Sequence, residues 1–239
     1  MRYLGGKAKI GKRLGAFLNA QNTGNRPFYA PFVGAANVTQ HIIAPRRYAS
    51  DANDKMIALW SALQRGWQPP DAVSEAEYYH IRATQGQHLP ELEAFVLIGC
   101  SFGGKWADSY ARCKRGKNYA SMAKQSLLKK IKNLQDVRFI HADIFTIEPP
   151  EDNMLIYCDP PYASTVGYKA TGGFDNAAFW DKVRRWTSEG HRVFVSEYQA
   201  PDDFTCVWSV AASVSVMSNK RPTTKTERLF TLDTSGENG

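Results

Sequence analysis

Apolar residues in this chain occur in short β-prone runs separated by stretches with helical spacing. The runs predict strands at 27–30, 47–51, 137–141, 154–157 and 191–198, with two further β-prone segments at 205–217 and 227–232. Apolar positions three and four residues apart predict a helix near the start of the chain, a second after residue 53 and a third over 175–188. This alternation indicates an α/β fold built on an open sheet.

Residues 67–136 interrupt the alternation. Ser74 and Glu77 have the spacing of a capping box, and Pro90 is suited to the first turn of another helix. A third helix is predicted near 121–134. We therefore interpret 67–136 as an inserted, mainly helical lobe, with 1–66 and 137–239 forming the main domain.

Composition limits the class of protein. A chain of 239 residues with 43% hydrophobic residues can bury a full core, so one domain with an insertion is expected. No apolar run is long enough to cross a bilayer, and the first residues lack the apolar core of a signal peptide. The cysteines lack metal-ligand or disulfide spacing, which favours a reducing cytosol. They are Cys100, Cys113, Cys158 and Cys206.

Positive charge is concentrated inside the inserted lobe. The chain carries a formal net charge of +7, and the window from Lys105 to Lys132 holds nine Lys or Arg against one acid, Asp108. A solvated helix face is one explanation; contact with phosphates is the other, because clustered cations release counterions from a polyanion. Aromatic residues lie among these cations, as in proteins that bind nucleic acid. The candidate contacts are Lys105, Arg112, Lys114, Arg115, Lys117 and Tyr119, with Trp106 and Tyr110 as further stacking groups.

The most informative segment follows the strand predicted at 154–157. It reads Asp159-Pro160-Pro161-Tyr162, and the prolines fix the backbone so that a carboxylate, free carbonyls and an aromatic ring lie at the carboxyl end of the strand. Open α/β sheets place their ligand crevices there. The Asp159 carboxylate and the Pro160 carbonyl can accept the two N–H groups of a heterocyclic amine, and Tyr162 can stack on the ring. The alternative is a proline-rich turn closed by a surface tyrosine.

Glycine turns and acidic strand ends supply a second set of candidates. A glycine turn before the first helix and another after the strand at 27–30 allow close approach of a ligand, and an apolar helix through Val38, Ile42 and Ile43 is predicted after the second turn. An acid at the end of the strand at 47–51 is suited to ribose hydroxyls, although it can instead be a helix-capping acid. The candidates are Tyr3, Gly5, Gly6, Lys7, Phe32, Gly34, Ala35, Asn37, Asp51, Asp143 and Ile144, together with Asp159.

These segments resemble known methyltransferase motifs. Asp159 to Tyr162 resembles motif IV of the amino-methyltransferases in the spelling typical of DNA adenine-N6 enzymes. Tyr3-x-Gly5-Gly6-Lys7 resembles motif X, and Pro31 to Asn37 resembles motif I, with Ala35 and Ala36 where glycine is frequent. The motif order X, I, II, insertion, III, IV resembles the Dam-type α group, the D12 class.

The resemblance implies a Rossmann-like α/β sheet with an antiparallel terminal strand and a small helical target-recognition lobe. It implies S-adenosyl-L-methionine as cofactor, bound by motif X at its methionine end, by Asp51 at its ribose and by Asp143 and Ile144 at its adenine. The implied reaction is methylation of N6 of an adenine flipped out of double-stranded DNA. No metal, no membrane, a monomer or weak dimer, and the cytoplasm of a bacterial or phage-infected cell are expected, within a restriction–modification system or a phage.

Two alternatives remain open. An RNA or protein amino-methyltransferase can use the same Asp-Pro-Pro-Tyr chemistry; the basic lobe argues against a protein substrate but does not separate RNA from DNA. A non-catalytic nucleic-acid-binding protein with a decayed cofactor site is the second, indicated by Ala35 and Ala36.

Overall fold

The computed structural model describes residues 1–113, 115–162, 173–214 and 223–232. The α-helices are α1 (Gly11–Gln21), α2 (Asp54–Gln64), α3 (Glu75–Ala83), α4 (Pro90–Ala94), α5 (Tyr119–Ile131) and α6 (Asn176–Ser188). The strands are β1 (Phe28–Ala30), β2 (Arg47–Asp51), β3 (Val137–His141), β4 (Leu155–Cys158), β5 (Arg192–Glu197), β6 (Phe204–Val214) and β7 (Thr223–Leu232). The predicted contact Lys114 and nearly all of the predicted loop at 163–173 lie outside the described residues.

The strands form one seven-stranded sheet in the order β3-β2-β1-β4-β5-β7-β6. Strands β1 to β5 are parallel, whereas β7 is antiparallel to both β5 and β6. The chain therefore winds outward from β1 in one direction and from β4 in the other. Ligand crevices of open α/β sheets form where the winding reverses, here between the carboxyl ends of β1 and β4. This arrangement confirms the predicted Rossmann-like fold and its antiparallel terminal strand.

Both faces of the central strands are buried. Phe28 and Leu155 belong to one hydrophobic cluster, whereas their neighbours Tyr29 and Ile156 belong to a second. Alternate side chains of a strand point to opposite faces, so each cluster covers one face of the sheet. This explains why the strands read as apolar runs rather than as alternating patterns.

The segment 67–136 is built mainly of helices, which share the core of the sheet. Helix α4 continues as a π-helical turn, Phe95–Gly99, and this turn and Leu127 of α5 lie in the same cluster as Phe28 and Trp60. Ser74 and Glu77 form the expected reciprocal capping box. The division of the chain into a catalytic domain and a target-recognition lobe remains a prediction.

The apolar helix predicted after Asn37 is wrong. This segment contains turns and one short 3₁₀ helix, Thr39–His41. Val38, Thr39, Ile42 and Ile43 are β-branched residues that disfavour a helix, and a proline follows two residues after Ile43. No α-helix N-terminus is therefore available to the ligand from this turn.

Within the described ranges, no helix combines the length and the apolarity needed to cross a membrane. Over the same residues, no three side chains of His, Cys, Asp or Glu are grouped so that they could hold a metal ion.

Candidate active site

Asp159 lies directly after β4, at the reversal of the sheet, and it forms an ion pair with Lys7. The Lys7 Nζ atom donates to Asp159 Oδ1 at 2.7 Å and to the Gly5 carbonyl at 3.3 Å. The same ammonium lies 4.5 Å from the centroid of the Tyr162 ring. The first glycine turn and the Asp-Pro-Pro-Tyr segment, 152 residues apart in sequence for this pair, therefore meet. The carboxylate that Lys7 contacts here belongs to the protein.

Glu227 on β7 completes this cluster. The Tyr162 hydroxyl donates to Glu227 Oε2 at 2.8 Å, and Lys7 Nζ lies 3.7 Å from the same oxygen. The ring of Tyr198 meets the Tyr162 ring edge-on, with centroids 4.7 Å apart. The sequence analysis did not identify Glu227. Its only local signal is a carboxylate within a β-prone run, which does not distinguish it from a surface residue.

The cluster holds the Asp159 carboxylate in a perturbed environment. Burial raises the pKa of Asp159, the charge and hydrogen bond of Lys7 lower it, and the Glu227 carboxylate raises it. Burial, Asp159 and Glu227 together raise the pKa of the Tyr162 phenol well above its usual range, so Tyr162 stays neutral. One ammonium thus serves two carboxylates beside a neutral aromatic ring.

The turn after β1 is fixed by contacts to three other segments. Gly34 has a φ of +43°, and a Cβ atom on it would lie 3.0 Å from the Tyr3 ring, so glycine permits this ring to pack on the backbone. The Gly34 N–H donates to Asp51 at 2.8 Å, and the Trp60 indole donates to the Gly34 carbonyl at 2.8 Å. Tyr3, Gly34 and Asp51 therefore occupy one site, as the motif resemblance implies.

Ala36 departs from the conformation that alanine prefers. Its φ is +51°, in the left-handed region where a Cβ atom costs about 1 kcal/mol. Lys130 stabilises the turn from the other side, because its Nζ atom donates to the Ala35 carbonyl and to Asn37 Oδ1, both at 2.6 Å. Lys130 was counted in the basic window, yet it is buried and its burial lowers its pKa to about 8. It supports the turn and does not face solvent.

A cavity of about 350 Å³ lies beside Asp51 at the carboxyl ends of β1, β2 and β3. Asp51 accepts N–H groups of Gly34 and Asn53, while burial raises the pKa of its carboxyl. The aromatic walls are Phe32 and Phe174, whose ring centroids are 6.0 Å apart. Flat apolar walls with carboxylates at the edge suit a nucleoside, whose ring stacks and whose amine and hydroxyl groups donate. The lining includes Phe32, Asp51, Asp143, Ile144, Pro161 and Phe174.

The basic segment contains several cations that are already paired. Arg112 makes an exposed ion pair with Glu75, and Lys105 lies 3.4 Å from Asp108. Arg115 and Lys117 are exposed. Exposed pairs of this kind are worth about 1 kcal/mol or less, so phosphates can compete for both cations.

Two of the aromatic residues predicted to stack have other partners. The Tyr110 hydroxyl donates to the Val73 carbonyl at 2.7 Å, and the Tyr119 ring lies under the Arg2 guanidinium at 4.9 Å. Trp106 remains partly exposed beside Lys55.

Comparison with known proteins gives a family match over most of the chain. The family model described as D12 class N6 adenine-specific DNA methyltransferase matches residues 3–98 and 89–205. None of the curated proteins matches the chain significantly.

Solved structures of low sequence identity also match. A candidate RNA methyltransferase from Pyrococcus horikoshii is 7% identical, with 93% of this chain and 84% of that chain covered and a TM-score of 0.43. A candidate class I S-adenosylmethionine-dependent methyltransferase from Listeria monocytogenes is 10% identical, with coverage of 95% and 60% and a TM-score of 0.42. A candidate methyltransferase complexed with SAH is 11% identical, with coverage of 95% and 53% and a TM-score of 0.39.

Proposed function

Because the chain belongs to the D12 class of N6 adenine-specific DNA methyltransferases, we propose that it methylates N6 of adenine in double-stranded DNA. It is a methyltransferase that depends on S-adenosylmethionine, as that family is. The observation that carries the proposal is the Asp159 carboxylate, held by Lys7 beside Tyr162 and adjacent to a cavity that Pro161 also lines.

The residues around the cavity fit the cofactor. Asp51 would accept ribose hydroxyls, Asp143 would accept the adenine amine, and Phe32 and Ile144 would flank the ring. Tyr3 and the Gly5-Gly6 turn would contact the methionine end, with Lys7 at its carboxylate. S-adenosylmethionine, when bound, supplies a methyl group on a positively charged sulfur.

The residues after β4 bind and orient the amine that receives this methyl group. The Asp159 carboxylate and the Pro160 carbonyl accept its two N–H groups, which favours a tetrahedral nitrogen with an available lone pair. Tyr162 stacks on the purine ring, and its hydrogen bond to Glu227 fixes the position of the phenol. Near-attack positioning of this kind is a large contribution in a one-step transfer.

Double-stranded DNA is the substrate that best fits both the family and the charge. The amine acceptors lie at the end of a buried strand, so a base stacked in a duplex cannot reach them and must be flipped out. The exposed cations of the segment 105–117 would bind phosphates, with 67–136 as the target-recognition lobe and 1–66 and 137–239 as the catalytic domain. We propose a monomer or weak dimer as the active form.

Incorporation of tritiated methyl groups from S-adenosylmethionine into duplex DNA, RNA and protein tests the substrate. We expect incorporation into adenine of duplex DNA and little into the other two. Preferential labelling of RNA would support an RNA adenine-N6 methyltransferase, and no labelling of any substrate would support a binding protein with a decayed site.

The salt dependence of binding tests the role of the basic segment. If Arg115 and Lys117 each contact a phosphate, Ala substitutions at both should flatten the log–log salt slope by about 1.8. The matched control is Arg138→Ala, an exposed cation on the outer strand β3. An unchanged slope in the double variant would show that these cations form only a solvated surface.

A further inference from the structure

Two large apolar side chains are exposed side by side in the chain trace near the active site. Leu4 is 51% exposed and Phe102 is 39% exposed. Their segments are joined, because the Leu4 N–H donates to the Gly104 carbonyl at 3.0 Å. A Cβ atom on Gly104 would lie 2.7 Å from the backbone of Arg2, so the turn that carries Phe102 packs directly on the N-terminal segment.

This turn is a rigid element. Gly103 and Gly104 both have a φ of +70°, a conformation that suits glycine. The base of the turn is closed by the Phe102 N–H, which donates to the Ser109 carbonyl at 2.8 Å, and by a bridge between Ser101 and Tyr110. An apolar side chain on such a turn is presented to solvent at little further entropic cost.

The position relative to the site follows from the chain. Leu4 precedes Lys7 by three residues, a span of at most about 10 Å. The Lys7 ammonium in turn lies 2.7 Å from Asp159. Leu4 and Phe102 thus lie at the edge of the site that takes the flipped base, and not on a remote face.

The surroundings of the pair match a nucleic acid duplex. Arg2 and Lys105 flank the apolar residues along the chain, and both are exposed. Cations beside an apolar projection complement a molecule whose outside is phosphate and whose inside is stacked bases. The stacking groups expected from the sequence do not fill this role, since the Tyr110 hydroxyl and the Tyr119 ring have partners in the protein.

We propose that Leu4 and Phe102 form an apolar wedge that enters duplex DNA beside the target adenine and fills the space that the flipped base leaves. This inference rests on the proposed function. Unstacking a base step is unfavourable, and a side chain that replaces the lost stacking stabilises the opened duplex. Single-stranded DNA needs no such opening, so the wedge acts on duplex substrates alone.

The test compares kcat/KM for one adenine-containing strand, alone and annealed to its complement. The variant L4A/F102A should lose about ten- to a hundredfold on the duplex, the scale of a few unstacked contacts, and stay within about threefold of wild type on the single strand. A duplex with mismatched bases opposite the adenines should restore most of the loss. The matched control is Leu89→Ala, which removes an equally exposed leucine before α4.

The outcomes separate the wedge from the proposed function. An active wild-type enzyme whose variant loses equally on both DNA forms, or on neither, overturns the wedge alone. A folded wild-type protein inactive on both DNA forms overturns the proposed function together with the wedge. Circular dichroism of the variant shows whether it is folded, and the single changes Leu4→Ala and Phe102→Ala repeat the test if it is not.

Discussion

Removal of the Lys7 ammonium is expected to raise the pKa of Asp159 and to move the acid limit of activity toward neutral pH. Lys7 Nζ is 2.7 Å from Asp159 Oδ1, and the Lys7 side chain is only 5% exposed, so solvent screens the pair weakly. Coulomb's law at an effective dielectric constant of about 20 gives about 6 kcal/mol as an upper bound. A carboxylate beside a cation is typically shifted by about 1–3 pKa units, or about 1.4–4 kcal/mol, and we expect the loss in Lys7→Met to lie in this range.

The sign follows from the role of the carboxylate. Asp159 must be ionised to accept N–H groups, so activity falls as the pH drops through its pKa. Burial and Glu227 already raise this pKa, and Lys7 opposes them. Without the ammonium the pKa rises further, and activity falls at a higher pH than in wild type.

The assay is the pH dependence of kcat/KM for DNA between pH 5 and 9, at saturating S-adenosylmethionine. In Lys7→Met the acid limb should move upward by about 1–3 units. Calorimetric titration with the cofactor separates any loss of cofactor binding from the shift in ionisation. Lys12→Met, an exposed change on α1, is the control and should leave the limb in place. An unmoved limb in Lys7→Met would refute the assigned coupling.

Three further changes test other parts of the site. Asp51→Ala should weaken cofactor affinity by about 1.5–3 kcal/mol in calorimetry, the scale of charge-assisted hydrogen bonds, and unchanged affinity would leave Asp51 only its contacts to Gly34 and Asn53. Glu227→Gln should lower kcat about tenfold with little change in KM, and Glu227→Ala more strongly, because only the glutamine can still accept from Tyr162; equal effects would argue against this hydrogen bond. Burial lowers the pKa of Lys130 to about 8, so between pH 8 and 10.5 the unfolded chain holds a proton that the folded chain does not, and the free energy of unfolding rises with pH by about 3 kcal/mol from this group. Urea unfolding at both pH values should show that Lys130→Met removes this rise, and an equal rise in the variant would contradict it.

The strands were predictable because each is a short apolar run bounded by turn residues. A run such as Leu155–Cys158 is buried on both faces, and no other element of that length accommodates it. Helix starts at Asn53 and Ser74 were predictable because a side chain three or fewer residues away supplies the cap. These signals are local, and local signals survive without knowledge of the fold.

The errors and omissions depend on contacts distant in sequence. The helix expected after Asn37 fails because the turn at Ala36 is held instead by Lys130, 93 residues away from Asn37. Glu227 reaches Tyr162 only because β7 pairs with β5, and that pairing brings together residues 65 positions apart. Whether Lys130 faces solvent or supports a turn also depends on the side of α5 that the sheet covers. None of these facts is written in a local pattern.

The central claim is that Asp159 makes this chain an adenine methyltransferase acting on DNA. Mass spectrometry of nucleosides in DNA incubated with the purified protein and S-adenosylmethionine tests it directly, with wild type and Asp159→Ala compared at equal cofactor occupancy. We predict N6-methyladenine with the wild type and none above background with the variant, which should still bind the cofactor in calorimetry. N6-methyladenine formed at a similar rate by a folded Asp159→Ala protein, or none formed by the wild type, would contradict the account.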